Sequence, residues 1–350
     1  MPSIIPSELI TGPLKQYEEE IVTFFQIVGD STGLNYKATR IFAYLRVYEA
    51  LTQKQLKSLT HFSSSTISTT LNSFIQSGIV SREIATNARL GIYRLKSEKA
   101  PFVYTEFSEI LTELESLDEI IIETQKKINL HRDKYPKYCE FIWRRLNSFR
   151  NYIEAQRRAI DETSTYTFFE ESISYLGFEK SILSFPDELE AIVKKFITEL
   201  VEDAVYDRDD PIANIIFTYI GIYGLITQEW LVQNTGLSLS TISRTLNHFV
   251  DDEIISALPK KYKQSRFYEI HSVSLSIIAQ ILKADAFIFS WKPKFEKFLY
   301  ELERSALPSN SSLKLIKSKI SQMISQIDEF EHGSKRLEKA RDEILNQYNL

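Results

Sequence analysis

Apolar and polar positions recur along this chain in the same order twice, 175 residues apart. Ile41, Phe42, Tyr44, Leu45 and Tyr48 have the spacing of one buried helical face, and Ile216, Phe217, Tyr219, Ile220 and Tyr223 repeat it. Thr52 follows with Gln55 three residues on, a capping-box pattern that predicts a short second helix through Leu59. Thr227 repeats the cap, with Trp230 in place of the glutamine. Ser63 and Ser238 then cap a third helix, whose buried side is Ile67, Leu71 and Phe74 in one copy and Ile242, Leu246 and Phe249 in the other. Short extended runs at 79–84 and 91–95, matched by 254–258 and 266–270, close each copy.

Helix, short helix, turn, helix and hairpin is the order of a winged helix-turn-helix domain. From residue 51 to 74 about half of the positions are identical to those from 226 to 249 without a gap, and the identities include polar ones. Thr52/Thr227, Ser65/Ser240, Thr66/Thr241, Ser68/Ser243 and Asn72/Asn247 are kept in step. A duplicated core would keep only apolar positions, so these point to one binding surface built twice.

Outside the copies the pattern turns to heptads. Phe107, Leu114, Ile121 and Ile128 interleave with Ile110 and Leu117, and Leu313, Ile320 and Ile327 interleave with Ile316, Met323, Phe330, Leu337 and Ile344. Stripes of this kind pack on another helix, either the other arm, near 141–160, or a second chain. The expected fold is mostly α with small β-wings. It has two winged helix-turn-helix domains, long coiled-coil-like dimerisation arms and an internal pseudo-two-fold duplication. The segments expected are a first module with an N-terminal helix (1–98), an arm (99–165), a linker helix with the second module (166–272) and a second arm (273–350).

Composition narrows the setting. Only 10 Gly and 10 Pro in 350 residues leave little room for a loop-rich β fold. The single cysteine, Cys139, rules out an intrachain disulfide and favours a reducing, cytoplasmic compartment. The start of the chain lacks the basic and apolar segments of a signal peptide, and the most apolar run, 212–226, is too short to span a bilayer and is expected as a buried helix. Net charge is -5, yet 36–96 carries nine basic residues against Glu49 and Glu83, while 211–271 balances five against five. Positive potential is thus confined to the first module.

The third helices offer candidate contacts to nucleic acid. Ser64, Ser65, Ser68, Thr69 and Asn72 in copy one, and Ser240, Ser243, Arg244, Asn247 and His248 in copy two, fall off the core side. Short hydroxyl and amide side chains let a helix approach base edges, asparagine pairs with adenine and arginine with guanine. Thr52 and Thr227 stand at the entrance to each helix pair and are counted with them. The hairpins add Arg82 and Arg89 in copy one and Lys260, Lys261, Lys263 and Arg266 in copy two, candidate phosphate or minor-groove clamps. Asp251, Asp252 and Glu253, at the end of the third helix of copy two, would repel phosphate.

Taken together, residues 33–45, 51–56, 63–71, 78–80 and 89–93 resemble the GbsR branch of MarR-type transcriptional regulators, over about sixty residues in each half and more loosely in the arms. The resemblance implies a recognition helix in the major groove, a wing near the minor groove and arms that dimerise. It carries the recognition positions onto Ser64, Ser65, Ser68, Thr69 and Asn72 with their copy-two matches, and the family's wing arginine onto Arg89. It also implies a small-molecule effector, for which no residue set, including Trp143, Trp230 and Trp291, is marked out. The chain departs from the family at Ala88, before the wing arginine, at Gln264, the counterpart of Arg89, and at Glu253, the counterpart of Gly78. Copy two opens on Asp209-Asp210-Pro211 in place of the family's Gly-Leu lead-in.

No phosphate loop, dinucleotide turn, zinc-ligand pair or nucleophile-base motif is present, so neither an enzyme nor a metal or cofactor is expected. The leading expectation is a regulator acting as a fused pseudo-dimer on an imperfect inverted repeat of double-stranded DNA. It would be monomeric, or homodimeric through its arms. The alternative is a non-catalytic tandem winged-helix assembly protein, of the ScpB or ESCRT kind, or a chromatin protein; its support is the neutral second copy and the acidic remainder of the chain.

Overall fold

The computed structural model describes residues 8–31, 35–48, 50–84, 91–96, 107–160, 168–170, 184–202, 210–259 and 265–347. Helices dominate, accompanied by two small antiparallel sheets. The first copy runs α1 (Lys15–Ser31), α2 (Tyr36–Val47), β1 (Leu51–Thr52), α3 (Gln53–Thr60), α4 (Ser64–Gln76), β2 (Val80–Ile84) and β3 (Gly91–Leu95). Two long helices follow, α5 (Phe107–Asn129) and α6 (Pro136–Ile160). The second copy repeats the order as α7 (Asp187–Glu202), α8 (Pro211–Tyr223), β4 (Leu225–Thr227), α9 (Gln228–Thr235), α10 (Leu239–Asp251), β5 (Ser256–Ala257) and β6 (Phe267–Glu269). It continues into α11 (Val273–Phe289), α12 (Lys292–Arg304) and α13 (Ser311–Gln347).

Local chemistry sets the helix starts. Thr52 Oγ1 accepts from the Gln55 amide at 3.2 Å while Gln55 Oε1 accepts from the Thr52 amide at 2.8 Å, closing the capping box. Thr227 accepts from the Trp230 amide at 3.2 Å, and the indole has no acceptor to return the bond. Ser63 and Ser238 cap α4 and α10 through the amides of Thr66 and Thr241. Asn35 caps α2; Asp210 does the same for α8 with Pro211 in its first turn, so the divergent lead-in keeps the same function.

Each sheet has a third strand beside the hairpin, giving the orders β1-β3-β2 and β4-β6-β5. The registers coincide at the 175-residue offset. Leu51 pairs with Tyr93 as Ile226 pairs with Tyr268, and Arg82 faces Tyr93 as Ala257 faces Tyr268. Left-handed backbone also recurs in register: His61 (φ 60°) and Gly236 (φ 70°) end α3 and α9, and Gly78 (φ 73°) and Glu253 (φ 62°) follow α4 and α10.

The chain divides into two compact units, each discontinuous in sequence. The first comprises Met1–Phe107 and Ala286–Glu331. Here Ile41, Phe42 and Leu45 of α2 share a core with Val22 and Phe25 of α1, and with Phe295, Leu313, Ile316, Ile320, Met323 and Ile327 of α12 and α13. Phe24 stands edge-on to Phe295 at 5.4 Å and Lys294 pairs with Glu20 at 2.6 Å. Fully burying side chains of this size stabilises by about 1.5–3 kcal/mol each. Beneath them Glu18 is wholly buried, accepting from the Tyr48 hydroxyl at 2.9 Å and paired with Lys15 at 2.6 Å. Burial pushes both the Glu18 carboxyl and the Tyr48 hydroxyl up from their ordinary values.

The second unit comprises Ser108–Asp285 and His332–Leu350. Its core joins Leu114, Leu117, Ile121 and Ile128 of α5 and Phe141, Leu146 and Phe149 of α6 to α7 and α8. Helix α8 is buried along most of its length, as its apolar run predicts. Arg145 of α6, 3% exposed, donates from Nε to the Gly221 carbonyl at 2.6 Å and from Nη1 to the His271 carbonyl at 3.0 Å. The counterpart of Arg145 on α13 is the buried Ile320, and the counterpart of Gly221 is Arg46, also buried. A Cβ on Gly221 would come within 2.8 Å of the Phe149 ring.

Both heptad stripes pack on modules, and that of α5 also meets the expected arm at 141–160, with Gln125 bonded to Asn147 at 2.8 Å and Arg150 to Asp118 at 2.7 Å. Stripe residues Leu313 to Ile327 seat on copy one, and those of α5 sit in the core of copy two; the side chains of Phe107 and Ile110 lie outside the described residues. The end of α13 also packs arm on arm. Leu337, Ala340 and Ile344 cluster with Ala155 and Ile278, and Arg158 pairs with Glu343 at 2.5 Å. The span Val273–Arg304 is long and apolar enough to cross a membrane, with 28% of the window buried. It contributes Val273, Ile277 and Ile278 to the core of the second unit and Phe295 and Leu302 to that of the first.

Candidate nucleic-acid interface

On α4 the burial of Ile67 and Leu71 turns Ser64, Ser65, Thr69, Asn72 and Ser73 outward, with Ser68 half-buried at the edge. No charged residue lies on this helix. On α10, Ile242, Leu246 and Phe249 face the core while Ser240, Arg244, Asn247 and His248 are exposed and Ser243 is half-buried. The matched serines and asparagines thus hold matched surface positions. A strip of short hydroxyls with one amide permits close approach to a groove wall, and the amide has the donor and acceptor needed for adenine.

Thr52 and Thr227 lie elsewhere. They are 8% and 6% exposed, and their hydroxyls are occupied by the caps of α3 and α9. Their recurrence is accounted for by helix starts, with no ligand required.

Surface charge differs from the count along the sequence. Arg46 is 7% exposed, Arg40 lies 3.5 Å from Glu19 and hydrogen-bonds Gln26, and Arg94 lies 3.9 Å from Glu83. Lys37, Lys54, Lys57, Arg82 and Lys96 are exposed. In copy two, Asp252 is held by His248 Nδ1 at 2.7 Å and lies 3.6 Å from Lys283. Of the acidic trio, Asp251 and Glu253 are exposed.

Within each hairpin an exposed arginine lies over a buried tyrosine. The guanidinium of Arg82 is 6.0 Å from the Tyr93 ring centroid and that of Arg266 is 5.8 Å from the Tyr268 centroid. Gln53 donates to the Tyr93 hydroxyl at 3.0 Å, and Gln228 to that of Tyr268 at 2.9 Å. Arg89, Lys260, Lys261 and Lys263 lie outside the described residues, as do Ala88 and Gln264.

The tryptophans divide by role. Trp230 packs on Tyr219 and Tyr223, and Trp291 on Phe24 and Phe295. Trp143, 38% exposed, lines a cavity of about 280 Å³ with Arg132, Glu140 and Arg144. Arg144 there bridges Glu140 at 2.7 Å and Glu170 at 2.9 Å. In comparisons with known proteins, no family model matches the chain and no curated protein matches it.

Proposed function

We propose that this chain is a DNA-binding transcriptional regulator in which two winged helix-turn-helix modules, with α4 and α10 as recognition helices, are fused into one pseudo-symmetric protein. The observation that carries the reading is the matched polar strip. Ser65, Ser68 and Asn72 recur as Ser240, Ser243 and Asn247 on helices that start with the same cap and precede hairpins of the same register. Core packing explains none of these three pairs. The resemblance to GbsR-type regulators supports the same function, with an imperfect inverted repeat as target and a cytoplasmic location. The effector remains an expectation of that resemblance alone.

Fluorescence anisotropy on duplex DNA across a salt series tests the proposal. Contacts to four or more phosphates would lower affinity by orders of magnitude between low and moderate salt. A flat response, or no binding at low salt, overturns it. A protein-binding role in a larger assembly has its own support in Tyr36 and Leu239, large apolar side chains exposed at the first turns of α2 and α10. Genome-wide occupancy separates the readings: discrete peaks for a regulator, broad coverage for a chromatin protein, no signal for an adaptor.

A further inference from the structure

The hairpins of the two copies carry their arginines on different strands. Arg82 lies on β2, and its counterpart is Ala257; Arg266 immediately precedes β6, and its counterpart is Gly91. The two guanidinium groups nevertheless reach the same place, over Tyr93 and Tyr268, which are themselves counterparts. Glycine is part of this exchange. A Cβ on Gly91 would stand 2.9 Å from Arg82 Nε and 3.2 Å from the Tyr93 hydroxyl, so a side chain at position 91 would displace the Arg82 guanidinium from its place over the ring. Alanine in copy two opens the equivalent space to an arginine from the neighbouring strand.

What survives the exchange is a cation, not a residue position. Both arginines are exposed, and among the described residues neither has a carboxylate partner, whereas Arg94 on the adjacent strand lies 3.9 Å from Glu83. A ring in need of cover alone would accept an aliphatic side chain. A guanidinium drawn to an aromatic face by the ring's electron cloud keeps its N–H donors available, a set suited to an oxyanion.

We propose that Arg82 and Arg266 are one phosphate contact delivered from two sides of the hairpin, gripping the backbone of duplex DNA over Tyr93 and Tyr268. The proposal rests on the DNA reading above. It adds a grip common to both copies even though Arg89 has no arginine counterpart.

The test uses the full chain and a duplex bound by the wild type, with affinity measured across a salt series and folding followed by thermal melting. Arg82→Ala and Arg266→Ala should each reduce the slope of log affinity against log salt by about 0.9, the share of one phosphate. Gly91→Arg alone should lower the melting temperature, because the new side chain collides with Arg82. Combined with Arg82→Ala it should restore both folding and slope, copying the second module. The reverse exchange, Ala257→Arg with Arg266→Gly, should do likewise. Unchanged slopes with a lowered melting temperature would make the arginines structural and overturn the proposal. Anionic lipid vesicles that bind with the same arginine dependence, when duplex does not, would overturn it also. Failure of the wild type to bind any duplex at low salt would remove the DNA reading itself.

Discussion

Glu253 holds the left-handed position that Gly78 holds in the first copy, with φ of 62° against 73°. A side chain in this region crowds its own backbone, at a cost of about 1–2 kcal/mol. Glu253→Gly should therefore raise stability by about 1 kcal/mol, and Gly78→Glu should lower it by a similar amount. Thermal melting of the two variants checks both signs. Because Glu253 is exposed at the end of α10, its removal should also strengthen duplex binding at low salt, which anisotropy would detect.

Asp285 gives a pH dependence. It is buried on α11, and burial raises its carboxyl to about 6, opposed by a hydrogen bond with Ser334. The folded value lies above the unfolded one, so its contribution to stability is fully present below about pH 4 and is lost as pH rises through 6. Asp285→Asn should remove the loss, stabilising the protein by roughly 2–3 kcal/mol at pH 8 and little at pH 4. Denaturation at the two pH values would measure this, and an equal effect at both would count against it.

Arg145 should be costly to remove. Arg145→Met keeps most of the side-chain volume but leaves the buried Gly221 carbonyl and the His271 carbonyl without these donors. A loss of about 2–4 kcal/mol is expected in urea denaturation. A change below 0.5 kcal/mol would mean that water replaces the guanidinium.

Helices α4 and α10 are separable by charge. Ser68→Glu and Ser243→Glu place the same carboxylate at matched, half-buried positions on α4 and α10. Each should weaken duplex binding by more than about tenfold, the first more severely, and Arg244→Ala should relax base preference at one position by about 1–3 kcal/mol. Circular dichroism would confirm folding. A folded Ser68→Glu protein with unchanged affinity would take α4 out of the groove.

Much of this architecture is legible in the chain. The helical faces, the caps at Thr52, Ser63, Thr227 and Ser238 and the hairpins depend on neighbours three or four residues away, and such signals survive in a linear string. Strands β1 and β4 do not, because two or three residues carry no alternation to detect. The seats of the arms were equally hidden. A heptad stripe announces that a helix packs, while its partner is decided by tertiary fit, here Arg145 against the Gly221 carbonyl. In the candidate site the matched serines and asparagines are visible on alignment, but the paired arginines are not, since Arg82 aligns with Ala257. The basic surplus of the first copy was overstated for a related reason: Arg40 reaches Glu19 on a helix outside the counted stretch.

Arg46 stands in the first copy where Gly221, in the second, leaves room for the Phe149 ring. Were the first arm to dock on its own module, the Phe149 ring would meet the Arg46 side chain. Were the second to dock on its own, Ile320 would leave the Gly221 carbonyl without its donor. Each arm is in this way fitted to the other half's module. Whatever ancestral symmetry the repeat preserves, a descendant that split the chain in two would inherit partners that must always be made together.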